Sequence, residues 1–244
     1  IIFEKTSALL NSNIIVSKQN SKKTTDCIKK TILKNLSKKL FFNENFSYSI
    51  GKNSFFYYKD KFGKLKLPLP NILGQFQLEN ISTAIATLRT LNFNIKDDDI
   101  KNGILKIESI ARLQEITSGK LKRLVKNNRL IIDGSHNEDG ARVLNEYLST
   151  LNCNKHIILG MMANKDHEKY ISYFKDISSL TTIDIPKQPN SINGKELKEK
   201  FKNIPNVKYK KNIEKAIESI PLKENDLIII TGSLYLAGEM LNLN

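Results

Sequence analysis

The chain has 244 residues, 40% of them hydrophobic and 26% charged, with two cysteines and no tryptophan. That length suits one large domain or two small ones, and the apolar content is enough for a buried core, so a mini-protein and wholesale disorder are both excluded. The net charge of +14 comes from lysine: only five of the 39 basic residues are arginine (Arg89, Arg112, Arg123, Arg129, Arg142), whereas bidentate recognition of bases and phosphates favours arginine, so no nucleic-acid partner is expected.

The chain opens Ile1-Ile2-Phe3-Glu4-Lys5, without methionine or turn chemistry, and reads as a piece of a longer protein entered in mid-element. No run approaches the roughly 18 apolar residues of a membrane span, and the basic, apolar, small-residue order of a signal peptide is absent, so a soluble cytoplasmic protein is expected. Cys27 and Cys153 form no C-x-x-C pair and read as reduced and structural.

In chain order, residues 13–17 read as a short strand. A lysine-rich amphipathic helix follows over 22–39, with Ile28, Ile32, Leu33, Leu36 and Leu40 at helical spacing. Aromatic, β-branched segments around Tyr48 and over 55–58 precede the turn cluster Lys59-Asp60-Lys61-Phe62-Gly63, which predicts a hairpin. Leu78, Ile81, Ile85, Leu88 and Leu91 form a helical stripe after Pro68 and Pro70, and Asp97 to Asp99 favour the start of a second helix over 97–107.

From Arg129 onward short apolar runs at 130–132, 156–159, 181–185, 207–209 and 227–230 alternate with helical stretches at about 139–151, 166–178, 194–202 and 212–220, and a last helix begins at 234. That alternation predicts a Rossmann-like, doubly wound α/β domain with a mostly parallel sheet, and the change of rhythm places a domain boundary near residues 107–112. Ligands of such sheets bind beyond the carboxyl ends of the strands. The residues there are polar and glycine-rich: Asp133-Gly134-Ser135-His136-Asn137, Gly160-Met161-Met162-Ala163-Asn164-Lys165-Asp166, and Thr231-Gly232-Ser233-Leu234-Tyr235. Each loop alone could be a helix cap or a turn, with Asp133, Asn137 and Ser233 as capping residues; together they read as an anion and nucleotide site.

The string Leu73-Gly74-Gln75-Phe76-Gln77-Leu78-Glu79-Asn80, with Ala84-Ile85-Ala86-Thr87-Leu88, Ala111-Arg112-Leu113-Gln114, the three loops above and Leu236-Ala237-Gly238-Glu239, resembles the folylpolyglutamate synthase/dihydrofolate synthase family of the ATP-dependent Mur ligase superfamily. The resemblance runs in order across essentially the whole chain. It implies an ATP-dependent ligase that uses MgATP to phosphorylate a carboxylate of dihydropteroate or of a folate glutamate tail and lets the amine of L-glutamate attack the acyl phosphate. It also implies small-molecule substrates, no membrane partner, and a monomer for the full-length protein. Residues 1–108 would be the C-terminal part of the central ATP-binding domain, truncated, and 109–244 the C-terminal Mur-ligase-type domain.

Carried onto this sequence, the resemblance gives Asn80 to the adenine region with Gln77 one turn before it, Arg112 to the phosphates, Asp133 to the ribose, and His136 to the nucleotide and glutamate end. Ser233 and Tyr235 would line the glutamate site, and Lys165-Asp166 would shape their loop. Glu4-Lys5 resembles a segment whose lysine is carbamylated to hold a magnesium ion; here Thr6-Ser7 replaces the usual Ala-Gly. The residues read without the resemblance are a helix-surface amide, a linker arginine, a structural histidine and a solvated lysine.

Phe76 stands where the family usually has histidine, and the longer segment between Arg112 and Asp133 predicts a β excursion over 116–128. The phosphate loop ending in Gly-Lys-Ser or Gly-Lys-Thr does not occur, and Gly51-Lys52-Asn53-Ser54 is no substitute because it lacks the upstream glycine and the Ser/Thr after lysine. The chain alone is therefore expected not to turn over ATP. A peptidoglycan-type Mur ligase and a non-catalytic basic binding module are the competing readings.

Overall fold

A computed structural model of the chain describes residues 2–7, 9, 12–51, 54–91, 93–201, 204 and 206–244. Lys52 and Asn53, the centre of the rejected phosphate-loop candidate, lie outside the described residues, as do Ile1 at the chain opening and Lys202 at the end of an expected helix. The chain divides into two compact units, Ile1–Glu108 and Ser109–Asn244. No helix among the described residues is long and apolar enough to cross a membrane.

The first unit contains α1 (Ile2–Ser7), β1 (Ile14–Val16), α2 (Lys22–Thr31), β2 (Lys39–Phe41), β3 (Phe46–Ile50), β4 (Phe55–Asp60), β5 (Gly63–Pro68), α3 (Phe76–Leu88) and α4 (Asp97–Leu105). β3, β4 and β5 form an antiparallel sheet. The expected hairpin closes through a two-residue turn: Asp60 pairs with Gly63, Asp60 Oδ1 accepts from Phe62 N at 2.8 Å, and Gly63 takes a left-handed φ of 121°. Period-two alternation buries Phe56, Tyr58, Leu65 and Leu67 against Leu78, Ile81 and Ile85 of α3 and Ile100 and Ile104 of α4.

The lysine-rich helix stops at Thr31, eight residues short of the expected end. Ile32 is buried, but Leu33 and Leu36 face solvent and Leu40 lies in β2, which pairs in parallel with β1. Strand pairing thus captures the last residue of what looked like one helical stripe, an override of local pattern by tertiary context.

The second unit runs β6 (Gln114–Glu115), α5 (Gly119–Val125), β7 (Arg129–Ile132), α6 (Glu138–Ser149), β8 (Lys155–Leu159), α7 (His167–Ile171), β9 (Ser179–Ile183), α8 (Gly194–Lys200), β10 (Val207–Lys210), α9 (Ile213–Glu218), β11 (Leu227–Thr231) and α10 (Leu234–Leu243). The six-stranded sheet has the order β10-β9-β8-β11-β7-β6, parallel throughout except for β6 against β7. The α/β expectation holds. The β excursion does not: the regular structure within 116–128 is α5, because Leu121 and Val125, four apart, drop into the core beneath β7.

Crossover handedness explains the layering. β7 to β10 progress in one direction across the sheet and β11 returns between β7 and β8, so right-handed connections put α6, α7 and α8 on one face and α9 on the other. Ile132, Ile158 and Ile230 accordingly share one apolar cluster with Leu121 of α5, Ile213 and Ile217 of α9, and Leu236 and Met240 of α10. Strand alternation turns Ile131, Ile157 and Ile229 to the other face, towards the buried Ala141, Leu144 and Leu148 stripe of α6. Where β11 is inserted, successive helices leave on opposite faces, which opens the crevice of a doubly wound sheet at the carboxyl ends of β7, β11 and β8.

Candidate functional site

The three loops expected to converge do so, and they are stitched in series. Gly134 N donates to Ala111 O at 2.7 Å, Gly232 N to Ser135 O at 3.1 Å, and Gly160 N to Thr231 O at 3.2 Å. The glycines are there for close packing. Gly232 has φ 105°, and a Cβ on it would meet Leu159, Gly160 O and Met161 at 2.6, 2.7 and 2.9 Å; one on Gly134 would lie 2.3 Å from Leu234 Cδ2. Buried N–H groups need partners, and these three find them within the protein.

Asp133 is buried and works on backbone. Its Oδ2 accepts from Leu113 N and its Oδ1 from Ser135 N, both at 2.9 Å. It caps no helix, whereas Asn137, Asp166 and Ser233 do, accepting from Gly140 N, Lys169 N and Tyr235 N at 2.9, 3.1 and 3.1 Å. Ser233 is thereby occupied and buried, while the Tyr235 side chain is exposed. His136 is half-buried, with Nδ1 3.0 Å from Gly134 O. A carbonyl only accepts, so Nδ1 carries the proton and Nε2 is the nitrogen left for another partner.

Arg112 lies between two left-handed residues, Ala111 (φ 55°) and Leu113 (φ 50°), both buried. Such conformations cost a non-glycine residue on the order of 1 to 3 kcal/mol and persist only where surrounding contacts hold them. The Arg112 side chain is exposed and makes no ion pair or hydrogen bond among the described residues, unlike Arg129, which grips Glu115 through two hydrogen bonds of 2.9 Å, and Arg142, which pairs with Asp139 and Glu146.

Beneath the loops sits a hydroxyl cluster that the sequence analysis missed. Ser135 Oγ lies 2.8 Å from Tyr170 Oη and 3.2 Å from Thr231 Oγ1, and Tyr170 Oη lies 2.8 Å from Thr231 Oγ1. Three hydroxyls in mutual contact can each donate once around the ring, so the cluster satisfies itself. Burial pushes the Tyr170 phenol well above its ordinary range, against the hydrogen bonds from Ser135 and Thr231, and keeps it neutral. Tyr170 lies on the five-residue α7, with no sequence motif to announce it.

A second polar network lies at the amino-terminal ends of β8, β9 and β11, opposite the loops. His156 contacts Ser179 Oγ through Nδ1 at 2.8 Å and Asp226 Oδ2 through Nε2 at 3.2 Å, and Asp226 also accepts from Lys223 N at 2.7 Å and from Asn154 Nδ2 at 2.8 Å. Burial raises the Asp226 pKa, but these hydrogen bonds outweigh it and hold the carboxyl below the usual range.

In the first unit, Gln77 and Asn80 meet on α3, with Asn80 Nδ2 donating to Gln77 Oε1 at 3.2 Å; Gln77 is buried, its Nε2 has no partner among the described residues, and Asn80 is exposed. Lys5 lies on α1, its ammonium 3.4 Å from Glu4 with both side chains exposed. No group of three or more His, Cys, Asp and Glu among the described residues could hold a metal ion. An ammonium offers no oxygen to magnesium, so Lys5 could serve as a ligand only as its carbamate.

Comparison with known proteins gives a consistent result. Residues 119–234 match the family described as Mur ligase, glutamate ligase domain. The chain is similar to a folylpolyglutamate synthase of Lacticaseibacillus casei, 25% identical over 190 residues that make up 75% of this chain and 42% of that protein. It thus spans about two fifths of that relative's length. The fold is similar to Mycobacterium tuberculosis folylpolyglutamate synthase complexed with ADP and AMPPCP, at TM-score 0.81 and 17% identity over 99% of this chain and 58% of that one. It is also similar to the bifunctional folylpolyglutamate synthase/dihydrofolate synthase of Yersinia pestis complexed with AMPPNP and manganese, at TM-score 0.79 and 18% identity over 99% and 56%.

Proposed function

We propose, on the premise that residues 119–234 form a glutamate ligase domain of the Mur ligase family, that this chain supplies the C-terminal part of an ATP-dependent ligase joining L-glutamate to dihydropteroate or to a folate. The observation that supports this reading is the stitched crevice: three loops at adjacent strand ends, held rigid by their own backbone hydrogen bonds, with Arg112, His136 Nε2 and Tyr235 left for ligands.

In such a ligase ATP supplies the phosphoryl group that turns the acceptor carboxylate into an acyl phosphate, and amide formation releases phosphate. The contribution of this chain is positioning and charge. Arg112 offers a permanently charged planar donor to phosphate oxygens. His136, protonated on Nδ1, presents Nε2 to a donor on nucleotide or glutamate. Asp133 holds the backbone on which both stand and has little surface left for a ribose. Ser233 caps α10, and Tyr235, whose backbone N–H it accepts from, keeps an exposed side chain. On α3, Gln77 and Asn80 offer paired amides for a base edge. Magnesium would be held through a carbamate on Lys5, and no step is assigned to it.

Residues 1–244 alone should bind nucleotide weakly and not turn over ATP, since the sequence has no Gly-Lys-Ser or Gly-Lys-Thr loop. Titration calorimetry with MgADP, beside an assay of glutamate-dependent ADP release in the presence of dihydropteroate, tests both halves. Binding at about millimolar concentration without turnover is expected. No heat up to that concentration would refute the nucleotide reading, and appreciable ADP release would refute the inactivity of the chain.

A further inference from the structure

The turn that carries Arg112 is over-determined in a way its exposed position does not require. Ala111 N donates to Gln114 Oε1 at 2.9 Å, Arg112 N to Ser109 O at 3.3 Å, and Leu113 N to Asp133 Oδ2 at 2.9 Å, so every N–H from 111 to 113 has its acceptor. Ala111 O receives Gly134 N at 2.7 Å. Gln114 is itself fixed, because β6 registers it opposite Ile132, one residue before Asp133. Two buried residues in left-handed backbone thus flank one exposed arginine whose side chain has no partner among the described residues, and the acceptors that hold them there are side chains rather than a regular hydrogen-bond ladder. Strain of this kind that surrounding contacts impose on a single side chain marks a preorganised group.

We propose that Gln114 is a positioning residue for Arg112: its side-chain carbonyl holds Ala111 in the left-handed conformation and so sets the backbone, itself bonded to Asp133 and Gly134, from which the Arg112 side chain projects. Asp133 completes the clamp from the other side. Gln114 touches no ligand itself; it lowers the entropy that Arg112 loses when it engages a phosphate. This inference rests on the nucleotide reading above and adds a residue to it.

The test compares residues 1–244 as wild type, Arg112→Ala, Gln114→Met, Gln114→Glu and the double variant Arg112→Ala/Gln114→Met, titrated with MgATP and with adenosine. A charged hydrogen bond to phosphate corresponds to roughly a tenfold loss or more when removed. Q114M should approach the MgATP loss of R112A, leave adenosine binding unchanged, and add nothing in the double variant. Amide exchange supplies a readout independent of ligand: Ala111 N should lose protection in Q114M and keep it in Q114E, which retains an oxygen acceptor. A thermal melt confirms that each variant is folded. If R112A weakens MgATP while Q114M binds it as the wild type does, or if Ala111 N stays protected in Q114M, the positioning role is overturned and the nucleotide reading stands. If the wild type binds no MgATP, that reading fails and the proposal fails with it.

Discussion

Replacing Asp226 by alanine should destabilise the second unit more than any surface change. The carboxylate is buried, at 2% side-chain exposure, and serves three donors: Lys223 N at 2.7 Å, Asn154 Nδ2 at 2.8 Å and His156 Nε2 at 3.2 Å. Removing it orphans the buried His156 ring nitrogen, whereas the donors of the exposed Asn154 and Lys223 can turn to water. Each bond lost is worth about 1 kcal/mol net and the donor left dry costs more, so the sum is about 3 to 5 kcal/mol. Against the 5 to 15 kcal/mol of a typical domain, that is roughly a third to most of its stability. Asp226→Asn keeps one carbonyl acceptor but sets an amide N–H against a donor, for about half that cost. Urea unfolding followed by far-UV circular dichroism suits a chain without tryptophan, and native-state exchange at the Ile157, Ile158 and Ile229 amides reports opening of this sheet alone. The carboxyl is held below its ordinary pKa, so its contribution is complete above the unfolded value of about 4 and is lost as pH falls through the lower folded value. The D226A variant should therefore lack that part of the acid-induced loss. A D226A midpoint within about 0.5 kcal/mol of the wild type, which is what a surface residue gives, would refute the reasoning.

Tyr170→Phe removes the hydroxyl shared by Ser135 and Thr231 and should cost about 1 kcal/mol, with less than additive loss in the Ser135→Ala background, as a double-mutant cycle by urea titration would show. Because the Tyr170 pKa is raised, its stabilisation is present below the unfolded value of about 10 and fades as pH climbs through the folded value, so a scan from neutral to alkaline pH should fall less steeply in the Phe variant. Gly232→Ala meets both a left-handed φ and backbone at 2.7 Å and should lower thermal stability by an amount on the order of 2 kcal/mol. Gly134→Ala clashes chiefly with the end of Leu234, so its melting temperature should recover in part when Leu234→Ala is added; no recovery would mean that the Ala111 carbonyl, 3.3 Å away, is the true obstacle.

Strand and helix identity in the second unit was legible because a parallel sheet buried on both faces demands continuous apolar runs, and 129–132, 155–159 and 227–231 contain little else. The three polar loops could be placed at the carboxyl ends of their strands for the same reason, as could the family that their motifs resemble. Strand order, which inserts β11 between β7 and β8, depends on which faces pack and is invisible to local pattern. Likewise α5 reads as a β excursion until Leu121 and Val125 are seen to lie under β7.

Side-chain roles divide in the same way. Asn137 and Ser233 act on the amides three and two residues ahead of them, a local interaction that position foretells, and Asp166, read from the sequence only as a loop residue, does the same. Asp133 reaches 20 residues back to Leu113, Tyr170 reaches 35 and 61 residues to Ser135 and Thr231, and His156 reaches 70 residues to Asp226. The sequence by itself determined the α/β class, the polar strand ends and the caps at Asn137 and Ser233, though not the role of Asp133, because periodicity and capping act over a few residues. Only the tertiary structure decided which backbone amides those polar groups would spend themselves on, because buried donors must be paired with whatever the folded chain brings within 3 Å of them.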